Sequence, residues 1–598
     1  MYVIDVIPFA PGAPAGALSY RSTDSLTPGT LVTVPLRKKR VRGLVVACNS
    51  VRDAKALIKR ADFSLSGNIE VAGMLPEALR KGIEATALYH AAPLGAVYMQ
   101  LLGALIAEEI PEQLQEGAGH EIVLVEAPYE TRIERYRELI QETSGTTLII
   151  VPTLAELARM KESLSSFKPV VLSGAKASAT RAHALRKALA SPSLVLATPA
   201  YIATPIPALQ RVILDRVSAG AYRFPKRPYV HAVVAAQYVT EARNIPLTYG
   251  DFPLPLEFRS LQPLSDEGLG TLSIVDVKAE EEKQGATFKA IPDPLFESIK
   301  EALEKGGRVA VLSARKGYAP AVVCRTCGAS VRDAQGRALA LATYKGERVL
   351  RSADGNTIKE ADAVCDVCES WNLLPLGIGV ERVMEELAVL FPKTQLIRFD
   401  TDTIRTPAMA RKTLALFEES GGIIVGTEFI LPWLSTSMPL ALAVVASADS
   451  LLALPFWRSR ERFLRLLLTL RERAIHTIVA TRRMDESALV GAEHPEEETF
   501  FEEERSLRKA LEYPPHGALI TIATVGNAQH MEAAASSITK MAEPYSVYAL
   551  PEKQTGTQTS RTWVLQLPEG AWPDQALSRK LSGLPPSFRV LIDPDSLQ

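Results

Sequence analysis

The stretch that decides the fold is Cys324-Arg-Thr-Cys327-Gly, followed by an insert over residues 328–364 and then by Cys365-Asp-Val-Cys368-Glu. Each Cys-x-x-Cys pair can close a tight turn that presents two thiolates to one ion, and four thiolates complete a tetrahedral zinc shell. Four of the chain's five cysteines lie here. Redox-active or incidental cysteine pairs are the alternative interpretation. We predict a structural zinc site with no open coordination position, so the metal would staple a small lobe and take no part in catalysis.

Length and composition place limits on the rest of the chain. Its 598 residues exceed what one hydrophobic core organises, so several domains are expected. Lys+Arg number 67 and Asp+Glu number 68, so any nucleic-acid surface must be local. Only Cys48 lies outside the paired cysteines, which fits a reducing cytoplasm. The first residues lack the pattern of a signal peptide, and no apolar run of about eighteen residues appears, so we expect no membrane span.

The first part of the chain has a strand pattern followed by a helix pattern. Short strands are predicted at residues 2–7, 31–35 and 41–48, and helical periodicity follows over 76–109 with a break at 89–95.

Strands and helices then alternate from residue 121 to residue 214, which is typical of a parallel sheet with crossover helices. A second alternating series, from 295 to 480, encloses the cysteine stretch, so the cysteine lobe is predicted to be an insertion in a second sheet domain. A final α+β segment follows Tyr513-Pro514-Pro515 and ends in a strand at 588–593.

A basic run, Arg37-Lys38-Lys39-Arg40 with Arg42, links the second and third predicted strands. Clustered Lys and Arg side chains are what a polyanion needs, so contact with DNA phosphates is one interpretation. A solvated, basic hairpin turn is the other. The sequence leaves both open.

Two tandem α/β domains suggest a nucleotide motor, but the phosphate-handling residues are missing. A phosphate-binding loop needs glycines and a Lys so that backbone N–H groups and an ammonium can close on the phosphates. No Gly-Lys dipeptide occurs in the chain, and the turn after the first strand of the series reads Glu126-Ala-Pro128-Tyr-Glu130. An Asp-Glu pair for metal is expected after the strand ending at Leu214, yet Asp215-Arg216 stands there. ATP and Mg²⁺ are therefore not expected as ligands.

The order of several local phrases resembles the bacterial replication-restart helicase PriA family, also called primosomal protein N′. The phrases span nearly the whole chain: Leu18-Ser19-Tyr20, 42–46, Tyr89-His90, 307–320 leading into Cys324, Leu376-Gly-Ile-Gly379, Arg398-Phe-Asp400-Thr-Asp402, Ile424-Val-Gly426-Thr427-Glu428, Tyr513-Pro514-Pro515 and Asp593-Pro594. Any one of them is weak, and their order carries the resemblance.

The resemblance implies an α/β multidomain fold. A small β-rich 3′ DNA-binding domain would precede two RecA-like helicase lobes, the second lobe would carry the zinc knuckle, and an α+β domain would end the chain. The implied ranges are 1–112 for the DNA-binding domain, 113–290 for lobe 1, 291–505 for lobe 2 with a zinc insertion at 322–372, and 506–598 for the C-terminal domain.

The departures from the family pattern are concentrated in the motor. The family's Gly-Ser-Gly-Lys-Thr segment is absent after Pro128, its Asp-Glu-Glu-His box is replaced by Asp215-Arg216-Val-Ser218, and its Gly-Arg-Ala-Gly-Arg finger is replaced by Leu470-Arg471-Glu472-Arg473-Ala474. Arg471 or Arg473 could supply one guanidinium to a transferring phosphate, but without a phosphate cradle it would have nothing to stabilise. Losing all three elements together points to a pseudo-helicase.

Three further departures concern the zinc lobe, the winged-helix domain and the 3′-end pocket. The family carries eight cysteines and this chain keeps the outer four, so one zinc ion is expected where relatives bind two. The winged-helix domain that usually precedes lobe 1 is absent. Ser19 stands where the family has an acidic residue between two aromatics, so general DNA binding is a firmer expectation than capture of a 3′ end.

We therefore interpret the chain as a cytoplasmic, DNA-binding pseudo-helicase of replication restart or primosome assembly that recognises branched or single-stranded DNA. Its partners would be replication-restart or helicase-loading proteins. An active ATP-dependent 3′-to-5′ helicase and a zinc-stabilised interaction scaffold without DNA binding are the alternatives. The metal ligands are predicted as Cys324, Cys327, Cys365 and Cys368, and the DNA-contact candidates as Ser19, Tyr20, Arg37, Lys38, Lys39, Arg40, Arg42, Tyr89 and His90. Burial in the domain core is the alternative for Tyr20 and Tyr89.

Overall fold

The fold is taken from a computed structural model. It describes every residue except 1, 11–15, 38, 51–68, 104–110, 112, 118, 175–177, 260–261, 285–288, 314–320, 325, 328–330, 333–338, 345–346, 353–357, 361–362, 377, 435–437, 454–455, 551, 556–557 and 598.

The N-terminal domain is a five-stranded antiparallel sheet with the strand order β2-β1-β4-β3-β5. Alternating apolar residues give each strand one buried face, and the strands predicted at 2–7, 31–35 and 41–48 are confirmed. Gly43 lets β4 cross β1 closely, because a Cβ there would lie 2.6 Å from Val6 Cγ1. The strand bounds are β1 Tyr2–Pro8, β2 Leu18–Ser22, β3 Thr30–Leu36, β4 Lys39–Ser50 and β5 Glu70–Met74.

Two helices follow, α1 (Glu77–Tyr89) and α2 (Leu94–Leu102), so the predicted break at 89–95 is confirmed. The predicted helical residues 104–109 lie outside the described part. Pro93 caps α2, since its ring fixes an extended entry to the helix. Gly82 of α1 packs against the backbone of Val239, which joins this region to the next domain.

The first lobe is a six-stranded parallel sheet, in the order β6-β11-β10-β7-β9-β8, with helices on its faces. Its strands are almost continuously apolar, as expected for a sheet that is covered on both sides. Its elements are β6 Ile122–Glu126, α3 Tyr129–Glu142, β7 Thr146–Ile150, α4 Leu154–Ser163, β8 Val170–Leu172, α5 Ser178–Ala190, β9 Leu194–Ala197, β10 Leu209–Asp215, α6 Ala232–Ala242 and β11 Leu247–Asp251.

The second lobe is also a six-stranded parallel sheet, with the strand order β12-β22-β21-β13-β20-β19. Its elements outside the cysteine insertion are β12 Thr271–Asp276, α7 Val277–Gln284, α8 Asp293–Glu304, β13 Arg308–Leu312, α9 Val380–Leu390, β19 Leu396–Phe399, α10 Pro407–Ser420, β20 Gly422–Gly426, β21 Leu440–Val445, α11 Ala448–Leu452, α12 Ser459–Arg471, β22 Ala474–Thr481, α13 Ser487–Glu493 and α14 Thr499–Ala510.

The boundary predicted between the lobes at 290/291 is wrong by one strand. β12 hydrogen-bonds to β22, so the second sheet already begins at Thr271. Most side chains of β12 are exposed or partly buried because it is an edge strand, and only Val275 of this strand is buried in the core, which gives β12 a weak apolar pattern.

The cysteine lobe lies between β13 and α9, as an insertion in the second lobe. Its strands are β14 Ala321–Cys324, β15 Leu339–Tyr344, β16 Glu347–Ser352, β17 Ile358–Glu360 and β18 Leu373–Leu376. β14 pairs with β18, and β15, β16 and β17 form a separate antiparallel sheet.

The C-terminal domain is an antiparallel sheet in the order β24-β26-β23-β27, with β25 paired to β26. Its core packs against Ala91, at the turn between α1 and α2. The elements are β23 Gly517–Gly526, α15 Ala528–Ala542, β24 Ser546–Ala549, β25 Lys553–Thr555, β26 Gln558–Pro568, α16 Gln575–Ser582 and β27 Arg589–Ile592. Among the described helices, none has both the length and the apolar character needed to cross a bilayer.

Candidate functional site: the interlobe seam and the cysteine cluster

The carboxyl edge of the first sheet faces the second lobe, and charged side chains meet there. We call this contact the interlobe seam. Ligands of parallel α/β sheets usually bind at such an edge, so its chemistry decides whether a nucleotide can be held. The seam is formed by Glu126, Tyr129, Arg132, Glu156, Arg159, Asp215 and Arg216 of the first lobe, Glu472 and Arg473 of the second, and the connecting Arg259.

The N-terminus of α3 is occupied by a carboxylate of the chain itself. α3 follows β6 through the turn at Pro128, and the backbone N–H of Tyr129 donates to Glu472 Oε1 at 2.6 Å. A helix N-terminus attracts anions because its first N–H groups are unpaired and its dipole is positive there. Glu472 belongs to the second lobe. Its carboxylate lies where the backbone amides of a strand–turn–helix unit would otherwise bind a phosphate.

Asp215, at the end of β10, is neutralised by an arginine from α3. Its buried Oδ1 accepts from Arg132 Nε at 2.9 Å and from the Tyr136 hydroxyl at 2.8 Å. Gly250 makes room for this arrangement, since a Cβ there would lie 1.7 Å from Tyr136 Oη. Burial, followed by the neighbouring Asp215 charge, raises the pKa of Tyr136 well above its usual value. The carboxylate is therefore paired with protein groups instead of facing a cleft where Mg²⁺ could reach it.

Arg216 stands where the resemblance expects a second acid. Its backbone has φ 54°, in the left-handed region, and its guanidinium pairs with Glu156 of α4. Non-glycine residues in that region are costly and persist only where their surroundings hold them. The ion pair with Glu156 supplies such a restraint.

Arg259 clamps the two lobes together. Its side chain is 0% exposed; Nε contacts Glu126 Oε1 at 2.9 Å, and Nη1 contacts Glu498 Oε2 at 2.6 Å. Its guanidinium also stacks 3.7 Å from the ring centre of Phe501. Burial raises the pKa of Glu126, and the Arg259 charge opposes that rise. One arginine thus ties the end of β6 to the segment that begins α14.

The two candidate finger arginines have different surroundings. Arg471 is buried and saturated: it donates to Gly270 O at 2.7 Å, to Ala492 O at 2.5 Å and to Asp266 Oδ1 at 2.5 Å. These contacts assign it a structural role. Arg473 is 3% exposed, and its Nε and Nη1 find no hydrogen-bond partner among the described residues.

The four paired cysteines converge as the spacing predicts. Cys324 and Cys368 place their sulfurs 3.5 Å apart, Cys327 and Cys365 place theirs 3.7 Å apart, and all four sulfurs lie within 4.8 Å of one another. A tetrahedral ion with metal–sulfur bonds of about 2.3 Å needs sulfurs about 3.8 Å apart. The cluster can therefore hold a metal ion such as zinc.

The local fold explains why the knuckles meet. β14 ends at Cys324, and its pairing with β18 sets Cys324 opposite Leu373, a few residues beyond Cys368. The hydroxyls of Thr326 and Ser370 lie 2.8 Å apart and link the two turns a second time. The sulfur geometry thus follows from one strand pair and two tight turns.

Comparison with known proteins finds replication restart proteins among the relatives of this chain. The chain is 26% identical to replication restart protein PriA of Bacillus subtilis over 368 residues, which are 58% of this chain and 44% of that protein. It is 27% identical to PriA of Synechocystis over 381 residues, covering 58% of this chain and 45% of that one. For PriA of Thermotoga maritima the identity is 25% over 435 residues, with coverage of 69% and 58%. The chain is thus similar in sequence to the PriA proteins of these three organisms, and we call it PriA-like in that sense.

The sequence similarity covers only part of each protein. The PriA-like chain spans about half the length of the first two relatives. No protein-family model matches it. The structure of Saccharomyces cerevisiae Dbp5 bound to RNA and ADP BeF3 aligns with 73% of this chain and 97% of that chain at 8% identity, but its TM-score of 0.35 is too low to support an inference.

The basic run of the PriA-like chain forms the tip of the β3–β4 hairpin. Leu36 pairs with Lys39, and Arg37 lies in the turn between them; Lys38 lies outside the described residues. Arg37, Lys39 and Arg40 are exposed, whereas Arg42 is half-buried. Arg40 Nη2 lies 3.3 Å from Glu70 of β5, an exposed pair that water screens. The structure therefore brings three of the predicted cations to one tip.

Ser19 and Tyr20 lie on opposite faces of β2. Ser19 is exposed and its hydroxyl donates to Asp5 Oδ1 at 2.6 Å, so a neighbouring strand supplies the carboxylate that position 19 lacks. Tyr20 is 9% exposed, packs in the sheet core and donates to Pro35 O at 3.0 Å. The ring of Tyr20 is therefore largely buried in the sheet core, which favours the burial alternative. Asp5 was missed because only strand register places it beside Ser19.

Tyr89 and His90 hold domains together and are not exposed for DNA. The Tyr89 hydroxyl donates to Asp593 Oδ2 at 2.8 Å, and Trp572 Nε1 donates to Tyr89 O at 3.0 Å. His90 is 4% exposed, with Nδ1 2.8 Å from Thr86 O and Nε2 accepting from the His231 backbone N–H at 2.9 Å. Their assignment as DNA contacts is not supported, because both side chains are spent on contacts to the C-terminal domain and the first lobe.

Proposed function

We propose that this PriA-like chain is a DNA-binding pseudo-helicase of replication restart, which recognises branched or single-stranded DNA without hydrolysing ATP. One observation carries the proposal: Glu472 of the second lobe caps α3 at the position where a motor would bind phosphate. Replication restart is proposed because the PriA relatives are named for it. Binding without ATP hydrolysis is proposed because the phosphate-handling residues are replaced in this chain.

The charges of the seam support the loss of the motor. Asp215, the acid best placed to hold a divalent ion, is already paired with Arg132. An ATP-driven motor also opens and closes its lobes in each cycle. Here Arg259 would have to leave Glu126 or Glu498 for the lobes to part, and either separation would break one ion pair of a fully buried guanidinium.

DNA would bind through the β3–β4 hairpin. Arg37, Lys39 and Arg40 extend from its tip, and Lys38 and Arg42 belong to the same run. Contacts of this kind neutralise phosphates, so they give salt-dependent affinity without reading sequence. The hairpin would place the chain on a fork in the cytoplasm, where replication-restart or helicase-loading proteins could then be recruited.

The cysteine lobe would bind one zinc ion through Cys324, Cys327, Cys365 and Cys368. Bound zinc supplies structure there, since four thiolates leave no position for water or substrate. The residues themselves provide the turns and the strand pair that present the sulfurs. We assign the ranges 1–112, 113–270, 271–505 and 506–598 to the DNA-binding domain, the two lobes and the C-terminal domain, with the zinc insertion at 322–372.

Calorimetric titration of ATP and Mg²⁺ into the zinc-loaded full chain tests the proposal. No binding is expected, while the same sample should bind forked DNA in an anisotropy assay, which controls for inactive protein. Micromolar ATP affinity would overturn the pseudo-helicase assignment. If a folded, zinc-loaded sample does not bind forked DNA, the result would instead favour an interaction scaffold without DNA binding.

A further inference from the structure

Arg473 is a buried cation without a matching acceptor. It is 3% exposed, and its Nε and Nη1 have no hydrogen-bond partner among the described residues. Burial, together with the nearby Arg159 guanidinium, lowers the pKa of Arg473 to about 9. Buried guanidinium groups are normally paired, and an orphaned one in a folded protein calls for an explanation such as an ion.

Two more arginines converge on the same place from the first lobe. Arg159 lies with its guanidinium carbon 3.2 Å from the ring centre of Tyr129, the first residue of α3. Arg216 lies close enough to Arg473 to disfavour its charge. The nearby carboxylates are otherwise engaged: Glu472 accepts from the Tyr129 N–H, and Glu156 pairs with Arg216 and accepts from the Thr153 hydroxyl at 2.7 Å. Arg159 therefore lies at the N-terminus of α3, Arg159 and Arg216 are both near enough to Arg473 to repel its charge, and two nitrogen atoms of Arg473 have no partner among the described residues.

We propose that the seam binds one inorganic oxyanion of the phosphate class through Arg473, with Arg159 and Arg216 supplying further positive charge. A tetrahedral oxyanion offers several acceptors to the unpaired N–H groups of Arg473 and relieves the repulsion among the three cations. The site has too few hydrogen-bond donors for a triphosphate, because the Tyr129 N–H already donates to Glu472 and Pro128 has no N–H. This ligand goes beyond the proposed function, which does not require it.

Such an anion would act as a structural tie. Arg473 belongs to the second lobe, whereas Arg159 and Arg216 belong to the first, so one ion would be shared across the seam. Ligands that bind only the folded state raise its stability with concentration. Phosphate should therefore stabilise the joined lobes without any turnover.

The test is thermal unfolding and calorimetry of the full chain with inorganic phosphate, at an ionic strength held constant with NaCl. Saturating phosphate should raise the melting temperature by about 3 °C. Arg473→Met should abolish the rise and weaken binding at least about ten-fold. Arg243→Met is the matched control: Arg243 is buried and also has unpaired Nε and Nη1 atoms, but burial alone perturbs its pKa. Its phosphate response should equal that of the wild type.

The alternatives have distinct outcomes. No saturable phosphate effect in the wild type, or an equal effect in Arg473→Met, overturns the proposal. Should Arg473→Met fail to fold, Arg473→Lys keeps the charge but loses the planar fork, and its phosphate affinity should fall while its fold persists. The ATP titration tests a different claim. ATP binding would contradict the pseudo-helicase proposal, whereas a lack of phosphate binding would contradict only the oxyanion site.

Discussion

The seam and the cysteine cluster are both places where polar side chains converge, yet they differ in whether those side chains satisfy one another. In the seam, Asp215 meets Arg132, Glu126 meets Arg259, and Glu472 caps α3. In the cluster, four sulfurs face each other within 4.8 Å. Opposite charges that pair need no ligand, whereas four thiolates at that spacing repel unless a cation lies between them. At the nucleotide position of the seam the chain's own side chains take the place of a ligand and leave Nε and Nη1 of Arg473 without partners among the described residues, whereas the four sulfurs of the cluster still need a cation.

The largest expected effect comes from removing the metal. The cysteine lobe has a small apolar core, formed by Val322, Val331, Leu339, Leu341 and Leu350. Structural zinc contributes about 10 kcal/mol or more in small metal-dependent units, so chelation or Cys365→Ser should unfold this lobe while the sheets persist. Hydrogen exchange reports the local loss, and a metal assay should find one zinc per chain. Cys48→Ser should change neither; two zinc ions per chain would show that the insert has been misinterpreted.

The next largest effect concerns the clamp of the seam. Arg259→Met removes the partner of two partly buried carboxylates, Glu126 and Glu498, and should lower the free energy of unfolding by about 3 kcal/mol. Lys305→Met is the control, since Lys305 pairs with Glu301 at 2.6 Å on an exposed helix face and should cost less than about 0.5 kcal/mol. Chemical denaturation measures both. Equal small losses would mean that the lobes are not held by charge.

Lowering the pH should destabilise the domain junction, where His90 contacts His231 and Tyr89 contacts Asp593, more than it destabilises the seam. Burial lowers the pKa of His90 to about 3 and moves the pKa of His231 well below its usual value. Both imidazoles stay neutral when folded and take up protons when unfolded, so stability falls as pH drops below about 6.5, by about 3 kcal/mol for the pair at pH 5.5. Burial raises the pKa of Asp593, so that carboxyl opposes the trend.

Measurements of unfolding from pH 7.5 to pH 5 should show this slope, and His231→Gln should reduce it by about half. His494→Gln is the control because His494 is exposed. A flat profile would show that the junction does not depend on neutral imidazoles.

The smallest effect on folding belongs to the hairpin tip. Replacing Arg37, Lys39 and Arg40 with Gln should change stability by less than about 0.5 kcal/mol because their side chains are exposed. Fork binding should nevertheless weaken, and the slope of log affinity against log salt should fall by about 3. Lys300→Gln with Lys305→Gln removes two exposed cations, one on α8 and one directly after it, as a control. An unchanged salt slope would remove the hairpin from the DNA interface.

The sequence was informative where structure depends on short-range pattern. Cysteine spacing predicts the cluster because each knuckle is one turn, and apolar periodicity predicts the sheets because buried parallel strands are continuously apolar. The absence of a Gly-Lys dipeptide after β6 also indicates, from sequence alone, that the phosphate-binding turn has changed.

The sequence was uninformative where pairing spans long separations. Glu472 reaches Tyr129, and Arg259 reaches Glu498, across lobes that only the fold brings together. The same cause explains Tyr89 and His90, which contact residues of other domains, and β12, whose partner β22 lies some two hundred residues further along the chain.

ATP hydrolysis by the zinc-loaded full chain in the presence of forked DNA tests the central claim most directly. Because Glu472 occupies the N-terminus of α3 and Arg132 neutralises Asp215, the expected rate equals that of a protein-free blank, with or without DNA. Asp215→Asn reveals any contaminating ATPase, whose activity would be the same in both preparations. Hydrolysis that rises with fork DNA, scales with protein concentration and disappears in Asp215→Asn would contradict the account.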